Sequence, residues 1–175
     1  MDLKHIVKLG CGALGTAAAA LALSTAAMAD GHGGKVKIGM ITTLTGGGAG
    51  LGIDIRDGFM LAVDQSGNDN IEVVVEDDQR KPEIAVQLSD KMIQSEKVDI
   101  LTGIVWSNLA LAVVPAATAQ GKIYISPNAG PTQLAGQGCH ANYFNVAWQN
   151  DNLHEAAGAY TNSAGLSNTF ILAPN

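Results

Sequence analysis

Short apolar, β-branched runs alternate with amphipathic segments along most of the chain. The strand-like runs are Val36–Ile41, Ile71–Val75, Ile100–Leu101, Ile123–Ile125, Tyr143–Val146 and Thr169–Leu172. Between them, apolar residues recur at helical spacing over about 52–66, 82–96, 108–119 and 150–165. Strands that alternate with helices in this way predict an α/β fold, with a parallel sheet between two helical layers in an αβα arrangement.

Local residue choices refine these elements. Three consecutive valines at 73–75 are typical of a strand buried on both faces. Gly67 suits a helix end and Pro82 a first helical turn, whereas Pro115 predicts a kink or a displaced start. Asn150 or Asp151 can cap the last helix. The positions predicted to face inwards are Ile55, Phe59, Ala62, Val63, Ile84, Ala85, Leu88, Met92, Leu109, Ala112, Val113, Ala116, Leu153, Ala156, Ala157 and Tyr160.

The first 29 residues predict a cleavable export signal. Lys4 and Lys8 precede an apolar run at 9–23, and Ala27–Ala29 has the small-x-small pattern before a cleavage site. Cleavage between Ala29 and Asp30 would deliver a periplasmic protein. A membrane anchor is disfavoured because the run is short and contains glycines. A lipoprotein is disfavoured because Cys11 precedes the apolar core.

Charge and cysteine content narrow the possible partners. The sequence has a net charge of −6, and loss of the signal would make it slightly more acidic. An acidic surface repels phosphate backbones, so nucleic acid is not an expected partner. Cys139 alone survives cleavage, which is unusual in an oxidising compartment. Two interpretations stay open: a buried thiol, or a disulfide with a partner beyond Asn175.

Four polar segments follow predicted strands, where ligands of parallel sheets bind. They are Thr42–Gly52, Glu76–Lys81, Gly103–Asn108 and Ser126–Thr132. The glycines of the first segment fit neither the dinucleotide spacing nor a phosphate loop. Acidic residues at 76–78 could accept hydrogen bonds from the hydroxyls of a nucleotide's ribose. A nucleotide-dependent enzyme therefore stays as the alternative function. The same residues could equally form a solvated turn that caps the second helix.

Catalytic chemistry has little support in the sequence. Ser126 lies outside a nucleophile-elbow motif, and His154-Glu155 lacks the second histidine of a zinc site. We therefore expect no enzyme activity, no metal and no cofactor. Ser107 and Asn108, at the head of the third helix, could cap that helix or hold a polar ligand group.

Taken in order, these features resemble the branched-chain amino acid-binding family. The residues that carry the resemblance are Ile38-Gly39-Met40, the glycine-rich loop, Gly52-x-Asp54-x-x-Asp57-Gly58, Asp77-Asp78, Gly103–Asn108 and Ser126–Gly130. The family comprises substrate-binding proteins of ABC importers with the type I periplasmic-binding fold. Ala147–Asn152 and Ala173-Pro174-Asn175 look most like the branch that binds aromatic or other carboxylic acids.

The resemblance implies a site for a small carboxylic acid between two lobes. Ser107 would bond the carboxylate, and Ala129 with the backbone of Gly130–Thr132 would add contacts. Leu51 replaces the tyrosine that amino acid-binding members often carry, which puts an amino acid ligand in doubt. Trp106 could stack a ring or lie in the core. The predicted ligand-binding residues are Leu51, Trp106, Ser107, Asn108, Asn128, Ala129, Gly130 and Thr132.

The family's chain path implies a division into 1–29 as signal, 30–147 as an incomplete first lobe and 148–175 as the hinge and start of a second lobe. The final strand has no following element, so we expect the rest of that lobe beyond Asn175. The family mechanism is hinge closure on the solute by a monomer, followed by docking to a membrane permease. A sensor domain with the same fold is a further hypothesis.

Overall fold

The computed structural model describes residues 34–172. The predicted export signal and its Ala29–Asp30 cleavage site lie outside these residues. Within the described residues, no helix combines the length and the apolarity needed to cross a membrane.

Five parallel strands form the sheet, in the order β2-β1-β3-β4-β5. The strands are β1 Val36–Thr42, β2 Ile71–Asp77, β3 Ile100–Thr102, β4 Ile123–Ser126 and β5 Tyr143–Asn145. The helices are α1 Ala49–Ser66, α2 Pro82–Gln94, α3 Ser107–Ala119, α4 Thr132–Ala135 and α5 Asn150–Ser163. The α/β class and the parallel sheet with flanking helices are confirmed.

The sheet order places helices on both faces. The chain moves one way from β1 to β2 and the opposite way from β2 to β3 and on to β4. Right-handed crossovers therefore put α1 on one face and α2 with α3 on the other. All five strands are parallel, so every loop that follows a strand lies at the same edge of the sheet.

The core lies under α2 and α3. Its largest fully buried side chains include Tyr124, Ile41, Met92 and Leu101. Gly39 in β1 allows this packing, because a Cβ there would stand 2.6 Å from Met92 Sδ and 2.9 Å from Leu101 Cδ2. The other face is more open: Gly52 is the buried residue of α1.

Several sequence predictions about the elements are wrong. Residues 169–172 form no strand, and Phe170 is 91% exposed, because no neighbouring strand in the described residues lies beside this segment. Gln149 caps α5, in place of the predicted Asn150 or Asp151. The short helix α4 has too few residues to show a periodic pattern and was not predicted.

Several positions that the sequence predicts to face inwards are exposed in the structure. Ala62 and Ala116 are exposed, and so are the α5 positions Leu153, Ala156, Ala157 and Tyr160. The valine run in β2 is only half-buried because β2 is an edge strand. Cys139 is exposed, which contradicts the buried-thiol interpretation. Pro115 lies inside a continuous α3, so the helix start is not displaced.

Candidate functional site

Hydrogen bonds join the four loops at the carboxyl edge of the sheet. Thr43 Oγ1, after β1, donates to Asp78 Oδ1, after β2, at 2.6 Å. The indole of Trp106, after β3, donates to the same Thr43 oxygen at 2.9 Å. The amide of Asn128, after β4, donates to the Val105 carbonyl at 2.9 Å. The predicted convergence of polar loops at one edge is therefore present.

The centre of this network is a buried carboxylate. Asp78 and Thr43 are both fully buried. Burial raises the pKa of Asp78, although hydrogen bonds from Thr43 and the Arg80 N–H oppose the shift. Within residues 34–172, its second oxygen, Oδ2, has no hydrogen-bond partner, and neither has the hydroxyl of buried Thr42. A buried carboxyl with an unpaired oxygen destabilises the fold unless its other bonds compensate.

The neighbouring Asp77 holds the glycine-rich segment in place. Its carboxylate accepts from the Leu44 N–H at 2.8 Å and from Thr45 Oγ1 at 2.6 Å. Burial alone would raise the pKa of Asp77, but these bonds and one from the Gln79 N–H outweigh it and lower that pKa. The interpretation of residues 76–78 as a solvated cap is wrong, since Asp78 is buried and α2, which begins at Pro82, has no side-chain cap.

Trp106 is held on two sides and is not free in a cleft. The Arg80 guanidinium lies 4.0 Å from the centre of its ring, a distance typical of a cation–π contact. Gly48 lies against the ring edge with a φ of 86°, and a Cβ at Gly48 would collide with the indole. The half-buried ring also packs against the core. Its position therefore depends on the loops after β1 and β2.

A cavity of about 560 Å³ opens between α3, α4 and α5. It is open to one side, and its lining brings together two of the predicted ligand-binding residues, Ser107 and Thr132. The complete lining is Ser107, Leu111, Pro131, Thr132, Gln133, Gly136, Gln137, Asn150, Asp151 and His154. Ser107 is the first residue of α3, and the N-cap residue Trp106 makes no side-chain capping bond. The first N–H groups of α3 can therefore donate to a ligand.

Sequence reasoning missed two polar residues that reach into this region. Asn150 Nδ2 donates to Ser107 Oγ at 2.9 Å, and Gln149 Nε2 donates to Thr132 Oγ1 at 3.0 Å. In the sequence, both lie in the segment that resembles the family, and Asn150 is also a candidate helix cap. A Gln-Asn pair at a helix start does not by itself indicate a binding site. The hydroxyls that these amides contact, those of Thr132 and Ser107, are distant in sequence.

The other predicted ligand-binding residues lie outside the cavity lining. Leu51, on α1, is 50% exposed, and Asn108 is exposed beside the α3 start. Asn128 uses its amide on Val105. The buried Ala129 carbonyl accepts from Ser126 Oγ at 2.5 Å and from the Tyr143 hydroxyl at 3.3 Å.

Gly130 is also buried, and it fixes the close approach of the next segment. A Cβ at Gly130 would overlap the Trp148 carbonyl oxygen, so only glycine allows this contact. The Asn150 N–H donates to the Gly130 carbonyl at 2.9 Å. Gly130 therefore supports one wall of the cavity without lining it.

The described residues contain no cluster of three or more side chains able to hold a metal ion. The cavity offers hydroxyl and amide groups beyond the carboxyl ends of a parallel sheet, with Asp151 and His154 on its α5 side. Fold and cavity together define a class: an α/β lobe with an open cavity at the carboxyl edge of its parallel sheet.

The chain belongs to the periplasmic binding protein family, whose sequence profile matches residues 35–175. No curated protein sequence matches the chain significantly. Several solved structures do, and the first of them is an ABC-transporter solute-binding protein from R. palustris in complex with benzoate. It is 36% identical with a TM-score of 0.72, and the alignment covers 76% of this chain and 38% of that protein.

Two further structures extend the comparison. The substrate-binding protein LivJ from Streptococcus pneumoniae, in complex with isoleucine, is 29% identical with a TM-score of 0.61. That alignment covers 66% of this chain and 34% of LivJ. An ABC-transporter substrate-binding protein from Sphaerobacter thermophilus is 27% identical, with a TM-score of 0.67 and coverage of 75% and 37%. The chain thus spans well under half the length of these relatives. The matches give no support to the nucleotide-enzyme alternative.

Proposed function

We propose that this chain forms the first lobe of the solute-binding component of an ABC importer, and that the solute is a small carboxylic acid. The protein would be periplasmic and monomeric, would catalyse no reaction, and would deliver its solute to a membrane permease after the two lobes close. Residues 30–147 would belong to the first lobe, and residues 148–175 to the hinge and second lobe.

The observation that carries the proposal is the pairing of Ser107 and Thr132 in one cavity at the carboxyl edge of the sheet. The two hydroxyls belong to the first residues of α3 and α4, the helices that follow β3 and β4. Neutral hydrogen-bond donors beside the uncapped N-terminus of α3 suit an anion. Hydrogen bonds and the positive end of the helix dipole compensate an anion for the water that it loses on binding. The lining contains no activated nucleophile, which fits a receptor.

An aromatic acid is favoured over a branched-chain amino acid. A zwitterionic ligand needs a partner for its ammonium. Asp151, the one acidic residue of the cavity lining, is exposed on α5, whereas the two half-buried hydroxyls suit the carboxylate. Leu51, exposed on α1, replaces the tyrosine expected of amino acid-binding members. The relative in complex with benzoate has the same fold at 36% identity. Ligands related to benzoate are therefore the first to test.

Titration calorimetry of the protein with benzoate and isoleucine tests the proposal. We expect saturable binding of benzoate, without turnover, and a raised melting temperature. Ser107→Ala should weaken binding about 10- to 100-fold, because a hydrogen bond to a charged group contributes about 1.5–3 kcal/mol.

Asn108→Ala is the matched control. Asn108 is the exposed neighbour of Ser107, outside the cavity lining, and its replacement should leave the affinity within about twofold. Equal losses from both substitutions would contradict the assignment of Ser107. Absence of stabilisation by any amino acid or aromatic acid would contradict the proposed function itself.

A further inference from the structure

Two consecutive residues at the start of α5 each hold one of the cavity hydroxyls. Gln149 Nε2 lies 3.0 Å from Thr132 Oγ1, and Asn150 Nδ2 lies 2.9 Å from Ser107 Oγ. In both bonds the carboxamide nitrogen is the donor and the hydroxyl oxygen is the acceptor. The four side chains are all half-buried, so solvent competes only in part for these bonds.

A second bond fixes the orientation of the Gln149 amide, and main-chain bonds anchor the segment that carries both amides. Gln149 Oε1 accepts from the Asn152 N–H at 3.0 Å to cap α5, which leaves Nε2 as the group that reaches Thr132. The main chain is held as well: the Asn150 N–H donates to the Gly130 carbonyl at 2.9 Å. The Trp148 carbonyl accepts from the Asn145 amide at 2.8 Å. The two amides are therefore presented from an anchored segment.

This arrangement determines what the hydroxyls can offer a ligand. A hydroxyl has one proton to donate and two lone pairs that accept. Each amide occupies a lone pair of its hydroxyl, and a carboxamide nitrogen cannot accept the hydroxyl proton in return. Neither hydroxyl donates a hydrogen bond within the described residues. Both protons are thus left to donate towards an acceptor in the cavity.

We infer that Gln149 and Asn150 set the ligand preference of the site, by orienting the Thr132 and Ser107 hydroxyls as a pair of donors that selects a carboxylate over its amide. The inference rests on the proposed function and adds two specificity-determining residues to it. A carboxylate supplies two acceptor oxygens for two donors. A carboxamide supplies one oxygen and one NH₂. The remaining lone pair of a hydroxyl could accept that NH₂ only if the hydroxyl proton turned away and lost its own acceptor, which costs the amide affinity.

The remaining polar residues of the lining do not explain such a preference. Asp151 and His154 are exposed positions of α5, and neither bonds to the two hydroxyls in the described part of the chain. The Asp151 carboxylate would oppose a ligand anion, although solvent screens it. The N-terminus of α3 favours any hydrogen-bond acceptor of negative charge, and the oriented hydroxyls add the discrimination between an acid and its amide.

The test compares each acid with its amide: benzoate with benzamide, and isoleucine with isoleucinamide. Affinities are measured by calorimetry for the protein and for Asn150→Asp, Asn150→Leu and Asn152→Asp. Asn150→Asp replaces the donor by an acceptor that captures the Ser107 proton, so the acid-to-amide affinity ratio should fall at least about tenfold. Asn150→Leu removes the donor without adding charge, and we expect a smaller fall, about threefold.

Asn152→Asp adds the same charge two residues away, outside the lining, and should leave the ratio within about twofold. A purely structural role for Asn150 would weaken acid and amide equally, and an unchanged ratio in Asn150→Asp and Asn150→Leu would overturn the inference alone. A fall of equal size in Asn152→Asp would also overturn it, in favour of bulk charge. Failure of the unsubstituted protein to bind any of the four compounds would overturn the proposed function, and the inference with it.

Discussion

Thr43 connects three loops through one hydroxyl, so Thr43→Val is the most informative single substitution. Valine keeps the shape of threonine and removes the hydroxyl, which donates to Asp78 at 2.6 Å and accepts from the Trp106 indole at 2.9 Å. The residue is fully buried, so water cannot replace either bond. The fold would be kept while two polar partners lose their contact.

The expected cost follows from those partners. Asp78 already has one unpaired oxygen, and without Thr43 its other oxygen would keep only the Arg80 N–H. Leaving a buried polar group unsatisfied costs about 1–3 kcal/mol, with more for a charged group. The half-buried indole N–H of Trp106 also loses its acceptor, which adds a smaller loss of stability. We expect the free energy of unfolding to fall by about 3–5 kcal/mol.

Thr45→Val is the matched control. Thr45 Oγ1 also donates to a carboxylate, Asp77, at the same 2.6 Å, but this bond is exposed. Water can take over there, so the loss should be below about 1 kcal/mol. Urea unfolding followed by circular dichroism measures both, and an unchanged m-value would show that the same transition is compared. Equal losses for the two substitutions would refute the importance of the buried network.

Two further outcomes are expected. Asp78 has a raised pKa in the fold, so its favourable contribution to stability is complete below its unfolded-state pKa and is lost as pH rises. Asp77 has a lowered pKa in the fold, so its contribution is present above its unfolded-state pKa and is lost as pH falls. In urea unfolding between pH 3 and 8, Asp78→Asn should therefore gain stability relative to the unsubstituted protein as pH rises, and Asp77→Asn should lose it; parallel curves would contradict both assignments. Gly130→Ala forces a Cβ against the Trp148 carbonyl, so it should lower the free energy of unfolding by about 1–3 kcal/mol and weaken benzoate binding. In the control Gly136→Ala the new Cβ would meet its nearest atom at 3.5 Å, so the loss should be below about 1 kcal/mol. Equal melting temperatures for the two variants would show that the close contact at Gly130 can relax.

The alternation of elements was predictable because it is written in local periodicity. All five strands and four of the five helices were predicted, and Gly67 ends α1 in the expected left-handed conformation. The errors occur where burial depends on a neighbour that is distant in sequence or outside the described residues. Leu153 and the segment 169–172 show this: each belongs to an apolar pattern and is exposed, with no covering element among the described residues.

The candidate site was predictable only in part, for a related reason. Ser107 and Thr132 were found because they follow strands of a parallel sheet, whose loops meet at one edge. Gln149 and Asn150 were missed because their partners lie 17 and 43 residues away. Asp78 was misread as solvated, since nothing in its own segment indicates that Thr43 and Trp106 cover it.

By itself, the sequence determined the order of strands and helices, the edge at which polar loops gather and the family to which the chain belongs. These properties depend on short-range periodicity and on the geometry shared by all parallel sheets. Only the tertiary structure decided which carboxylate is buried, which tryptophan face is covered and which amides orient the cavity hydroxyls. Such properties depend on contacts between loops, and the free energy of each polar group is set by partners that the chain brings to it from elsewhere.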